Sequence, residues 1–156
     1  MEHVDQAAII FRDDLWACEV MPGFDVPGWY VLRARRHAET LTELEDTELK
    51  SFGVRARNMV AAVTEVTGAP ATYMLVFGEN HRHFHALIAA RAEHVPENRR
   101  TGDILKLRAE FADPIAAAAL VPAVRDAYRR QSKNVAVNFD GRQIDDDVRL
   151  NVDPIR

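Results

Sequence analysis

The chain has 156 residues, of which 47% are hydrophobic and 28% charged, as in ordinary soluble globular proteins. A chain of this length is expected to form one domain that buries roughly two-thirds of its unfolded surface. The formal net charge of −4 gives no reason to expect a nucleic-acid-binding surface. Cys18 is the only cysteine, which excludes an internal disulfide and a cysteine-rich zinc site. The short apolar run near the N-terminus predicts neither a signal peptide nor a membrane span, so a cytoplasmic protein is expected.

The first half of the chain predicts alternating strands and one long helix. Residues 7–11 and 15–21 are predicted to pair as a hairpin, and a loop rich in proline and glycine follows. A third strand is expected over residues 29–35. Apolar residues then recur at steps of three and four from about residue 45 to residue 67, which predicts a helix that ends at Gly68. Residues 71–77 are the predicted fourth strand.

The pattern changes after Arg91. Residues 103–111 are predicted to be helical, and a second helical stretch at residues 115–130 is expected to break at Pro122. Residues 135–139 are strand-like and are followed by an Asp-Gly turn signal at residues 140–141 and three aspartates at residues 145–147. Three interpretations of this tail are open: a hairpin, a contact with a partner, or a mobile segment.

Three of the six histidines stand at alternate positions, His81, His83 and His85. Alternation is the period of a β-strand, so a fifth strand is predicted from this row through about Ala89, with the three rings on one face. Three imidazoles on one face of a half-buried strand are costly to place for packing alone. The row therefore predicts a functional site.

Three interpretations of the row compete. The histidines are either partly exposed strand residues with no task, metal ligands, or catalytic groups. A zinc ion would use only two of them, because the outer pair lie about 13 Å apart at Cα, and would need a further ligand such as His37, Glu79 or His94. Nucleophilic catalysis uses all three, since a neutral imidazole attacks phosphorus while its neighbours hold the phosphate oxygens. This interpretation explains the row best, and it requires no metal or other cofactor.

The row His81-Arg82-His83-Phe84-His85-Ala86-Leu87 resembles the His-x-His-x-His signature of the histidine triad (HIT) family. Residues 28–37 are similar to the family's Gly-His, strand, and Pro-Lys-x-His segment, and residues 41–48 resemble its approach to the long helix. The resemblance covers about residues 8 to 105. The tail has no counterpart in it.

The resemblance implies an α+β fold with a five-stranded antiparallel sheet and a long covering helix. Residues 1–105 would form the HIT-like domain, and residues 106–156 a C-terminal helical extension and tail, in the same compact unit or at a dimer contact. The resemblance also implies a homodimer that binds a small-molecule nucleotide. Neither binding of nucleic acid nor association with a membrane is expected. The implied activity is hydrolysis of a nucleoside phosphoramidate or dinucleoside polyphosphate at the α-phosphate through a nucleotidyl-histidine intermediate.

The resemblance also implies site residues. His83 would be the nucleophile, with His81 and His85 as its flanking partners. The substrate-binding residues implied by position are Asn80, His37, Phe11, Trp16, Glu19 and Trp29. The residues of the hairpin are equally suited to the core of a sheet.

The sequence departs from the family pattern in ways that leave alternatives open. Trp29 stands where many members have a histidine, and Arg82 replaces an apolar residue. The spacing to Arg91 fits only if the triad is taken two residues later, as His83, His85 and Leu87, with the nucleophile at His85. The first register is preferred because it keeps three imidazoles. A nucleotide-binding module with lost or weak catalysis and a histidine-dependent metalloprotein are the alternative functions.

Overall fold

A computed structural model describes residues 6–138, with side chains described through residue 134. Five strands form one antiparallel sheet in the order β1-β2-β3-β5-β4. The strands are β1 (Ile9–Arg12), β2 (Trp16–Glu19), β3 (Trp29–Ala34), β4 (Ala71–Leu75) and β5 (His85–Arg91), and the α-helices are α1 (Asp46–Thr67) and α2 (Pro114–Asn138). The predicted α+β class with a five-stranded antiparallel sheet is confirmed. No helix among the described residues is long and apolar enough to cross a membrane.

Helix α1 begins and ends where the sequence predicts. Glu45 and Glu48 form a capping box at its start, which satisfies backbone N–H groups that have no partner within the helix. Gly68 takes the left-handed conformation at its end, with φ of 63°. The helix buries the face that carries Met59 and Val63 against the sheet.

Strand β5 is shorter at its start than predicted. It begins at His85, so His81 and His83 precede the strand, and the expectation that all three histidines belong to it was wrong. The chain turns tightly here, since the backbone N–H of His83 donates to the oxygen of His81. Phe84 N–H then bonds to Ala38 O in the loop after β3. The alternate spacing arises from this bend and not from a regular strand.

The second half of the chain also differs from the prediction. Thr101–Leu107 is a 3-10 helix where an α-helix was expected over residues 103–111. Pro122 does not break α2, which runs on through residues 135–138, so the strand predicted there was wrong. The neighbours of Pro122 explain its tolerance: Val121 and Val124 are buried against the sheet and α1, and this packing offsets the lost backbone hydrogen bond. The turn signal at residues 140–141 and the aspartates at residues 145–147 lie outside the described residues.

The sheet is covered on one face and half covered on the other. Its first face packs against α1 and α2, around the fully buried Trp16, Tyr30 and Leu32. On its second face, a smaller core joins the strands to the segment that follows β5, with members Val26, Trp29, Val31, Leu87, Ala89, Val95, Ile104 and Leu107. This segment covers only part of the second face.

Candidate functional site

A cavity of about 960 Å³ lies at the uncovered part of the second face. Its volume is at the upper end of the range typical of small-molecule sites. Its charged and titratable lining comes from β1, β2, the loop between β2 and β3, β3, the loop after β3 and the turn before β5: Arg12, Glu19, Asp25, Arg33, His37, His81, Arg82 and His83. Apolar residues before β1, after β2 and at the start of α2 complete the lining: Ala7, Ala8, Val20, Met21, Pro22, Pro114 and Ala118. We call this the open cavity.

Three histidines, His37, His81 and His83, border one end of the open cavity, and the ring of His85 lies next to that of His81. We call these four residues the histidine group. The ring centroid of His81 lies 5.5 Å from that of His85 and 6.5 Å from that of His83. The ring of His37 lies 5.6 Å from that of His83. The three predicted catalytic rings and His37 are therefore brought together, although only His85 belongs to a strand.

Backbone carbonyls fix two of these rings. The Nε2–H of His83 donates to Ala34 O at 2.6 Å, and the Nδ1–H of His85 donates to His83 O at 2.7 Å. A carbonyl oxygen only accepts, so each bonded nitrogen carries a proton. In the neutral rings the lone pair then resides on Nδ1 of His83 and on Nε2 of His85. His81 makes no ring hydrogen bond to the described residues.

The loop that carries His37 is tied to the start of α1. The guanidinium of Arg36 donates to both carboxylate oxygens of Glu48, at 3.2 and 2.7 Å, and to Glu43 O at 2.7 Å. Glu48 is buried, with 2% of its surface exposed. The hydrogen bond from Arg36 holds the pKa of Glu48 below its ordinary value, against the opposing effect of burial.

A buried carboxylate lies on the floor of the open cavity between two arginines. Glu19, 3% exposed, accepts a hydrogen bond from Arg33 Nε at 2.6 Å, and Arg12 Nη2 lies 3.7 Å from its other oxygen. That oxygen, Oε2, has no hydrogen-bond partner among the described residues. Glu19 was expected at the site, whereas the two arginines were not. The sequence feature that could have identified these arginines is a charged residue within an apolar strand. Arg33 in the otherwise apolar β3 is an example.

Four of the expected substrate-binding residues lie elsewhere. Trp16 is fully buried on the helix-covered face and donates to Ser51, and Phe11 stacks on Tyr128 at 4.2 Å between ring centroids. Trp29 lines a separate apolar cavity of about 240 Å³ under the second core. Asn80 is exposed in the turn before the histidine group. None of the four borders the open cavity.

The described residues contain no group of three or more His, Cys, Asp or Glu side chains placed to hold a metal ion. In the histidine group, two of the rings already use one nitrogen each on a backbone carbonyl. The chemistry that this arrangement supports directly is attack by, or proton transfer through, imidazole nitrogens.

Solved structures of histidine triad proteins superpose on this chain. A hypothetical histidine triad nucleotide-binding protein from Sulfolobus tokodaii matches with a TM-score of 0.64 over 82% of this chain and 87% of that one, at 13% identity. The chain has the histidine triad fold. A zinc-bound histidine triad family protein from Mycobacterium smegmatis matches with a TM-score of 0.60 over 83% of this chain and 89% of that one, at 16% identity.

The same fold unit occurs within a longer protein. A uridylyltransferase matches with a TM-score of 0.59 over 81% of this chain but only 42% of that one, at 17% identity. Identities this low establish the fold and not the activity. Comparison of the sequence with family models and with curated proteins finds no match.

Proposed function

We propose that this protein binds a nucleotide in the open cavity and cleaves a phosphoramidate or phosphoanhydride bond at the α-phosphorus through a nucleotidyl-histidine intermediate. The observation that carries the proposal is the histidine group at the end of this cavity, with two rings oriented by backbone carbonyls. One structural neighbour is described as nucleotide-binding and another as a uridylyltransferase, which supports the substrate class.

A nucleophilic imidazole needs one nitrogen that carries a lone pair and faces the substrate. His83, the expected nucleophile, uses Nε2 on Ala34 O, so its attack would come from Nδ1, the nitrogen next to Cβ. His85 uses Nδ1 on His83 O and keeps Nε2, the nitrogen farther from the backbone. These hydrogen bonds favour the second register, and we place the attacking lone pair on Nε2 of His85.

In the proposed reaction, His85 Nε2 forms a bond to the α-phosphorus as the bond to the leaving group breaks. The leaving group takes a proton from His81, whose ring lies 5.5 Å from that of His85 and is free of hydrogen bonds to the described residues. Water then attacks the phosphorus, His81 takes a proton from it, and the nucleotide leaves with the imidazole restored. Leu87, the third position of the second register, is buried in the second core and takes no part.

Alanine variants of His85 and His83 test the proposal. With adenosine 5′-phosphoramidate as substrate, His85→Ala is expected to lower kcat by about a thousand-fold, or about 4 kcal/mol of barrier. His83→Ala is the matched control, because the backbone oxygen that orients His85 remains and kcat should fall only about ten-fold. Mass spectrometry of the wild type quenched and digested at alkaline pH, where the phosphorus–nitrogen bond is stable, should find the nucleotidyl group on His85. A larger loss of kcat in His83→Ala than in His85→Ala would place the nucleophile at His83. Unchanged turnover in both variants would contradict the proposed enzymatic activity.

A nucleotide-binding module without efficient catalysis is the second candidate. Leu87 favours it, because a buried apolar side chain occupies the third position of the register that the hydrogen bonds favour. Calorimetry with AMP separates the two candidates. Binding of AMP together with no turnover of the phosphoramidate would select the module.

We also propose a homodimer formed along the free edge of β4. This strand pairs with β5 on one side, and no strand among the described residues pairs with its other side. Met74, Val76 and Phe77, at or just after it, are 46–55% exposed. An unpaired strand edge with exposed apolar groups favours pairing with another chain. Analytical ultracentrifugation should give a dimer for the wild type and a monomer for Val76→Lys. A monomeric wild type would contradict this assembly.

A further inference from the structure

We propose that Arg33 and Arg12 form an anion subsite on the floor of the open cavity, which binds a second phosphate or carboxylate group of the substrate. The inference rests on the proposed function and narrows its substrate class to nucleotides that carry a second anionic group, separate from the phosphate under attack. Glu19 is the positioning residue that orients the subsite.

The guanidinium of Arg33 is prepared for an anion. Its Nε is bonded to Glu19 at 2.6 Å, which fixes the plane of the group, while Nη1 and Nη2 make no hydrogen bond to the described residues. Arg33 borders the open cavity, and 24% of its side chain is exposed. A fixed guanidinium with two free terminal nitrogens matches the oxygens of a phosphate or carboxylate in a bidentate pair.

The subsite is offset from the histidine group. Arg33 and His85 are direct partners across β3 and β5, so their side chains leave the same face. The Arg33 guanidinium, however, contacts Glu19 on β2, the neighbour of β3 on the other side. Since neighbouring strands lie about 4.8 Å apart, the guanidinium lies roughly 5 to 10 Å from β5. That offset suits two anionic groups of one small molecule and not two oxygens of one phosphate.

Charge favours an anion at this place. Two guanidinium groups face a single carboxylate, so the cluster of Arg12, Glu19 and Arg33 carries an excess of one positive charge. The buried Oε2 of Glu19 makes no hydrogen bond among the described residues, and Arg12 lies 3.7 Å from it. The carboxylate therefore holds Arg33 by a hydrogen bond and attracts Arg12, while donors of both guanidinium groups have no partner among the described residues. An incoming anion can accept the hydrogen bonds that remain.

Calorimetry with AMP and adenosine 3′,5′-bisphosphate tests the subsite. The wild type is expected to bind the bisphosphate about ten-fold more tightly than AMP, since one charge-assisted pair in a partly exposed site contributes about 1.4 kcal/mol. Arg33→Gln should bring the two affinities within about two-fold of each other and leave AMP binding within about three-fold of the wild type. An unchanged preference for the bisphosphate in Arg33→Gln, or no preference in the wild type, would overturn the inference.

Glu19→Gln separates positioning from direct binding. The amide oxygen still accepts from Arg33 Nε, and the loss of the negative charge should leave bisphosphate affinity equal or raise it. A loss of more than about five-fold, with the fold intact by circular dichroism, would show that Glu19 binds the ligand itself and would overturn its role as a positioning residue.

Sodium pyrophosphate distinguishes failure of the subsite from failure of the proposed function. If AMP binds and adenosine 5′-phosphoramidate turns over while the bisphosphate has no advantage, the subsite is wrong and the function stands. If neither nucleotide binds but pyrophosphate does, and Arg33→Gln abolishes its binding, the subsite stands and the nucleotide function is wrong. If none of the three ligands binds, both are wrong.

Discussion

The second face of the sheet consists of two halves with opposite chemistry. In the closed half, Trp29 and Leu87 are buried beneath Ile104 and Leu107 of the segment that follows β5. In the open half, charged and titratable groups border a cavity of about 960 Å³. The same strands supply both halves, since β3 carries Trp29 in one and Arg33 in the other.

The difference lies in what covers the strands and not in the strands themselves. Positions two residues apart on β3, such as Val31 and Arg33, share one face but lie in opposite halves. Burial of the closed half stabilises the fold, and this rigid sheet allows the open half to hold polar groups without closing over them. Substitutions in the closed half should therefore change the free energy of unfolding, whereas those in the open half should change binding and turnover.

The largest effect on stability is expected for Trp29→Ala. The side chain is 2% exposed and its Nε1–H donates to Ala90 O, so truncation leaves a large cavity and an unpaired carbonyl. The free energy of unfolding should fall by about 4 kcal/mol in urea titrations. Leu41→Ala, at an exposed leucine outside both cores, is the control and should change it by less than about 0.5 kcal/mol. A stable Trp29→Ala protein that has lost turnover would contradict the division into halves.

Gly28→Ala should destabilise the fold by about 3 kcal/mol, through a contact on the helix-covered face of the sheet. Gly28 has φ of 82°, and an added Cβ would lie 2.8 Å from Ala90 Cβ. The strained backbone costs about 1–2 kcal/mol, and the contact with β5 adds to it. Gly23→Ala is a matched control, because its φ is 80° and nothing lies within 4 Å of an added Cβ. The difference in stability between the two variants in thermal unfolding measures the effect of the contact with Ala90. Equal losses of stability would show that this contact contributes nothing.

The local elements of this fold could be predicted from the sequence, because each depends on neighbouring residues. The apolar period and Gly68 are sufficient to place α1, and the alternation in β3 indicates a strand. Pro122 was misjudged because its tolerance depends on the packing of α2 against distant strands. The tight turn before His85 depends on pairing with Ala38, which no local pattern shows.

The candidate site was only partly predictable for the same reason. The histidine row is visible in the sequence, and the structure gathers its rings. The tautomers that distinguish His83 from His85 depend on backbone carbonyls, one of them 49 residues away in the chain. Arg33 became a candidate only when its Nε contact with Glu19 and its place on the open cavity were known.

At the rim of the open half, Glu48→Gln should remove a pH-dependent contribution to stability of about 1 kcal/mol, discounted because Arg36 is 41% exposed. The pKa of Glu48 is lower in the folded state than its ordinary value of 4.5. Its contribution is therefore complete above about pH 4.5 and is lost as the pH falls through the lower folded value. Urea unfolding between pH 7 and pH 3 should show this loss in the wild type and a flatter curve in the variant. Parallel curves would contradict the role of the ion pair.

The smallest effect on stability is expected for His81→Ala, in the open half. The side chain is exposed and makes no hydrogen bond to the described residues, so the free energy of unfolding should change by less than about 0.5 kcal/mol. Turnover of adenosine 5′-phosphoramidate should nevertheless fall by about a hundred-fold, because the leaving group loses its proton donor. Glu79→Gln, at an exposed residue of the same turn that does not border the open cavity, should leave both quantities nearly unchanged. A loss of more than about 1 kcal/mol in His81→Ala would show that the open half contributes to the stability of the fold. That result would contradict the division of roles between the two halves.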